Sequence, residues 1–137
     1  MIKMKVKRIR EIWASLNRCG QMATGYDKDG KVIHEIKLKF SYAVSKNLSL
    51  LRAETEHLEK IDKPIIEYQN ELRLISQKNP EKYYEVQEKY ASIVKDMEAF
   101  NEEEREIEFY KIQASVIPEN ILGVDLANLD FLIEGEL

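Results

Sequence analysis

Residues 38–76 read LKFSYAVSKNLSLLRAETEHLEKIDKPIIEYQNELRLIS, and apolar side chains recur in them every seven positions. Val44, Leu51, Leu58, Ile65 and Leu72 form one line of the repeat, while Phe40, Ile61, Tyr68 and Ile75 fill the partner line. Residues three, four and seven apart share one face of a helix. The spacing therefore predicts a long helix with a continuous, coiled-coil-like apolar seam. Asn47 and Glu54 interrupt the partner line near its start. Pro64 lacks an amide hydrogen and crowds the preceding turn, which predicts a kink or break near Asp62-Lys63.

A second seam follows. Asn79-Pro80-Glu81 has the composition of a helix start: asparagine at the N-cap, proline in the first helical position, and a carboxylate at the positive end of the dipole. Tyr83, Val86, Tyr90, Ile93, Met97 and Phe100 then alternate at spacings of three and four, to about Glu104. Only residues 77–79 separate the two patterns. So short a connection predicts an antiparallel helical hairpin in which each seam buries the other. Tyr68, Tyr83 and Tyr90 fall on the seams, whereas Tyr42 and Tyr84 fall off them and are candidate interface or ligand contacts.

The flanks change period. Ile2, Met4 and Val6 alternate with Lys3, Lys5 and Lys7, as in a half-buried strand. Ile9, Ile12, Trp13 and Leu16 then follow helical spacing over residues 8–19, with Gly20 placed to close the helix. Asp27-Lys28-Asp29-Gly30 predicts a tight turn between two short strands. Ile107 and Phe109 alternate with Glu106, Glu108 and Tyr110, predicting a strand over residues 106–113. Its outward glutamates complement the outward lysines of the first strand if the two pair. Asp125 is placed to cap a last helix carrying Leu126, Leu129, Leu132 and Ile133. The expected fold is mainly α and a single domain, 1–137. A strand, short helix and loop occupy 1–36, the long helical hairpin 37–105, and a strand with a short helix 106–137. The N-terminal and C-terminal strands form a small β element.

Charge is strongly polarised along the chain. Residues 1–52 hold 12 Lys/Arg against 4 Asp/Glu, and residues 53–137 hold 9 against 21. Internal neutralisation between the two parts accounts for this polarity. The competing reading is an anion-binding patch made of Lys3, Lys5, Lys7, Arg8, Arg10, Arg18, Lys37 and Lys39. No aromatic-interleaved basic motif accompanies the charge, so nucleic acid is not the expected partner.

Catalytic and metal chemistry find little support. Glu54 and His57 have the Glu-x-x-His spacing of di-iron bundles, but those need a second such motif, and no glutamate stands three residues before His34, the other histidine. Aligning Gly30 with the glycine of a calcium loop puts Gly25 at the first acidic ligand and Ile36 at the closing one. There is no phosphate-binding glycine loop, no cysteine pair and no nucleophile elbow. Cys19 lies in an apolar helical pattern and reads as a buried thiol in a reducing cytoplasm. The basic N-terminus has no continuous apolar stretch for a signal peptide. No segment reaches the ~18 apolar residues of a membrane span. The expectation is a cytoplasmic protein without cofactor, metal or catalytic residues.

The opening MIKMKVK (1–7), the run LKFSYAVSKNLSLL (38–51) and the endings EIEFYKI (106–112) and LANLDFLIEGEL (126–137) give the chain its character. In these stretches it resembles small helical proteins encoded by bacteriophages and prophages. The resemblance implies a viral or mobile-element origin and a host-cytoplasm location, and it carries over no catalytic residues. Two functions fit the sequence. One is a non-enzymatic interaction or assembly protein that forms a homo-oligomer or docks on a host or viral protein. The alternative is an anti-defence protein that inhibits a host protein or sequesters an anionic small-molecule signal on its basic N-terminal segment.

Overall fold

The computed structural model describes residues 1–137. Along the chain run β1 (Ile2–Lys5), α1 (Val6–Gly20), β2 (Gly25–Tyr26), β3 (Val32–His34), α2 (Leu38–Leu50) and α3 (Arg52–Lys78). They are followed by α4 (Tyr83–Glu102), β4 (Glu104–Ile107), β5 (Ile112–Gln113), α5 (Gly123–Leu129) and β6 (Ile133–Glu134). The fold is mainly helical with small sheets. Two structural units are present: residues 1–52 with 104–137, and residues 53–103. Helix α2 therefore belongs with the terminal segments, although its sequence continues the seam of α3.

The first unit is built on the pairing of β1 with β4. They run antiparallel with Ile2 opposite Ile107, Lys3 opposite Glu106 and Lys5 opposite Glu104. Alternation puts the lysines and glutamates on one face, where Lys3 Nζ meets Glu104 Oε2 at 3.1 Å. Both groups are exposed, so this pair contributes little stability. The helical spacing in α1 puts Ile9, Ile12, Leu16 and Cys19 on its buried face, one turn apart. They share the core with Phe40, Ala43 and Val44 of α2 and with Ile112, Leu129 and Leu132. Helix α1 packs on both α2 and α5. Gly30 closes the β2–β3 turn at a φ of +78°, the left-handed region that glycine occupies without steric cost. The Asp27 carboxylate accepts the amide hydrogens of Asp29 and Lys31, each at 2.9 Å.

Three sequence expectations are corrected in this unit. The first concerns the strand expected over 106–113, which is split into β4 and β5. Between them the backbone of Tyr110 pairs with a side chain: Asn47 Nδ2 donates to the Tyr110 carbonyl at 2.8 Å, and Asn47 Oδ1 accepts the Tyr110 amide at 2.6 Å. A buried side-chain amide thus takes the place of a neighbouring strand, and β5 goes on to pair in parallel with β6. The second concerns Asp125, which does not cap α5. Leu122 holds the cap position, and Asp125 lies in the first turn with its carboxylate committed elsewhere. The third concerns the helix break, which falls at Leu51 rather than near Asp62-Lys63. The chain turns there in a helical conformation, with the Leu51 amide still bonded to the Asn47 carbonyl at 3.0 Å.

In the second unit α3 runs unbroken through Pro64. The carbonyl that residue 64 would bond belongs to Lys60, which is exposed, so water can replace the missing donor. Asn79 alone separates α3 from a 3₁₀ turn over Pro80–Lys82 that leads into α4. Its side chain makes no capping bond; its carbonyl accepts the Lys82 amide at 3.0 Å. The rings of Tyr68 and Tyr90 lie 4.9 Å apart at 31°. The Tyr90 hydroxyl donates to Glu71 Oε2 at 2.7 Å, which holds its proton above the ordinary phenol range. Lys89 Nζ lies 3.6 Å from the same carboxylate oxygen.

Candidate interaction surfaces

The basic residues singled out in the sequence do not form one open patch. Lys3 faces Glu104. Arg8 binds Glu11 at 3.1 Å, donates to the Asn128 side chain at 2.9 Å and to its carbonyl at 3.0 Å, and lies over the Phe131 ring. Arg18 holds Asp125 with its Nη2 2.6 Å from Oδ1. Lys5, Lys7 and Arg10 also interact within the protein. Lys37 donates to the Ser115 carbonyl at 3.0 Å. For Arg8 and Arg18 the charge serves the tertiary structure of the first unit, while Lys3 is paired at the surface.

The tightest of these arrangements ties α1 to α5. Asp125 is 2% exposed, and its Oδ1 accepts from Arg18 and from the Ser15 hydroxyl at 2.8 Å. Asn128 Nδ2 donates to the same Ser15 oxygen at 3.0 Å. The hydrogen bond from Arg18 is the main cause that lowers the Asp125 carboxyl below its ordinary range; Ser15 adds to it and burial opposes it. Cys19, one residue along α1, is pushed up to about 11, chiefly by burial, and is a packing thiol rather than a nucleophile. A carboxyl lowered by folding contributes stability above its unfolded value near pH 4, and loses it as pH falls through that value toward the lowered one. Asp125→Asn should therefore lower Tm at pH 7, by roughly 5 °C, with the gap to wild type closing toward pH 3. Melting curves from pH 3 to 7 test this, and a gap that does not vary with pH would refute it.

Tyr42, Lys39 and two residues not singled out as contacts, Tyr110 and Lys111, come together on a cleft of about 410 Å³ in the first unit. Leu38, Ala43, Gln113 and Val116 complete its lining. Leu38 and Tyr42 are one turn apart on α2, and both are exposed, by 85% and 56%. Sequence reasoning missed Lys111 because its alternation belongs to the expected 106–113 strand, and that strand is interrupted. Tyr84 lies elsewhere, on α4, edge-on to Tyr83 with ring centroids 6.0 Å apart.

The second unit presents a different surface. Thr55, Leu58 and Val86 are its buried residues, while Ile61, Ile65, Leu72 and Ile75 of α3 and Ile93, Met97 and Phe100 of α4 are half-buried. Ile61, Ile93, Asp96, Met97 and Phe100 line a shallow groove of about 250 Å³. No helix is long and apolar enough to cross a membrane, and no three His, Cys, Asp or Glu side chains gather as metal ligands would. No family model, curated protein or solved structure matches the chain.

Proposed function

We propose that the protein is a non-enzymatic assembly protein whose residues 53–103 form a coiled-coil-like antiparallel hairpin that self-associates. In this reading two copies close a four-helix bundle. The observation that carries it is the half-exposed seam: of the hydrophobic residues on α3 and α4, only Leu58 and Val86 are buried within one chain. Two helices cannot enclose a core by themselves, and a second pair laid against the seam removes Ile61, Ile93, Met97 and Phe100 from water. The resemblance of the sequence to small phage and prophage proteins suggests that such an assembly forms in a host cytoplasm. The sequestration alternative is weakened at the basic N-terminal segment, because Lys3, Arg8 and Arg18 already face carboxylates of the first unit.

The charge of the hairpin makes the reading testable. Residues 53–103 carry 7 Lys/Arg against 13 Asp/Glu, a balance of −6, so two such surfaces repel while their seams attract. Sedimentation equilibrium should show a dimer that tightens as salt rises. Ile93→Glu should give a monomer with helical circular dichroism preserved. A wild-type monomer at high micromolar concentration, or an assembly that loosens with salt, would refute association through the seam.

A further inference from the structure

We infer that the cleft between α2 and the β5 segment binds a small planar aromatic anion of about the size of a nucleoside monophosphate. This goes beyond the assembly reading and rests on different residues, all in the first unit. The volume of about 410 Å³ falls within the range of small-ligand sites. The lining combines buried Ala43 and Val116, exposed Leu38 at the margin and two tyrosine rings. Tyr42 and Tyr110 meet edge to face, centroids 5.6 Å apart at 81°. Both rings are partly exposed, Tyr42 by 56% and Tyr110 by 42%, so a planar aromatic group has ring surface to stack on.

Charge selects the rest of the ligand. Lys3, Arg8 and Arg18 each face a carboxylate, whereas Lys39 and Lys111 on this cleft do not. Lys111 Nζ donates to the Phe131 carbonyl at 3.1 Å, a neutral acceptor that positions the ammonium without cancelling its charge. An anionic group on the bound ring therefore meets two exposed cations at the margin of an apolar cleft. The backbone of Tyr110 is fixed by Asn47, so this segment of the lining is positioned before any ligand arrives.

The test is an amide NMR titration of the full chain with AMP, adenosine and octanoate as probes. AMP should shift resonances confined to residues 38–43 and 110–116. Adenosine, without the phosphate, and octanoate, without the ring, should each bind at least about tenfold more weakly, a difference of about 1.4 kcal/mol. Lys39→Glu lies on an exposed helix surface and should weaken AMP by a similar factor while leaving the rest of the spectrum unchanged. Tyr42→Ala should remove the preference for AMP over octanoate. Absence of shifts at millimolar AMP, shifts centred elsewhere, octanoate binding as tightly as AMP, or unaltered affinity in Lys39→Glu would each overturn the assignment.

Discussion

Leu58→Asp is expected to abolish the helical structure of residues 53–103 at ambient temperature. Leu58 is 1% exposed and sits at the centre of the heptad line that starts at Val44. An aspartate there either ionises without a partner in an apolar surrounding or stays protonated at a large cost in pKa. Losing the leucine contacts adds to this, and together the effects amount to about 4 kcal/mol or more. A unit of this length with few fully buried residues has little stability to spare. Far-ultraviolet circular dichroism should lose much of its helical signal, and sedimentation should show that any oligomer has dissociated. Leu58→Ala, which removes volume without adding charge, should cost roughly 3 kcal/mol and leave the helices formed. Unaltered melting and size in Leu58→Asp would mean that the seam does not bury this position.

Asn47→Leu is the second large effect, and its cause is polar. The side chain is fully buried and makes two hydrogen bonds to the backbone of Tyr110, as donor at 2.8 Å and acceptor at 2.6 Å. Leucine is close in volume, so packing changes little while the Tyr110 amide and carbonyl lose their partners. The expected loss is about 3 kcal/mol. Trp13, the only tryptophan, lies on α1 in the same unit, and its fluorescence in urea reports the transition directly. Hydrogen exchange at the Tyr110 amide should accelerate with it. An unchanged urea midpoint would show that water satisfies Tyr110 as well as Asn47 does. The same variant releases one wall of the Tyr42–Tyr110 corner, so AMP binding should weaken in the fraction that remains folded.

Periodicity was legible where it reflects a choice between core and solvent. Ile2 and Met4 alternating with lysines read as a strand, and β1 is one; the spacing of Ile9, Ile12 and Leu16 read as a helix, and α1 buries that face. The pairing of the lysine strand with the glutamate strand was also accessible, because opposite charges on alternate positions favour one partner. The Asp27–Gly30 turn was local chemistry, visible in four residues.

What the chain could not show by itself was the fate of its polar exceptions. Asn47 reads as a flaw in a seam, and Asp125 as a helix cap; each is buried and bonded to a group more than 60 positions away. The heptad line from Val44 to Leu72 likewise gives no sign that it passes from one structural unit to another near Arg52. Lys39, Tyr42, Tyr110 and Lys111 line one cleft, where the Tyr110 backbone is bonded to the Asn47 side chain of α2. Burial pattern is a property of each residue against solvent and repeats with the local period, so sequence alone determined the helical character of the chain, the first strand and the turn, but not the break at Leu51. Hydrogen bonds between distant buried groups depend on geometry created by the whole fold, and only tertiary structure decided where the cleft lies and which cations remain available to it.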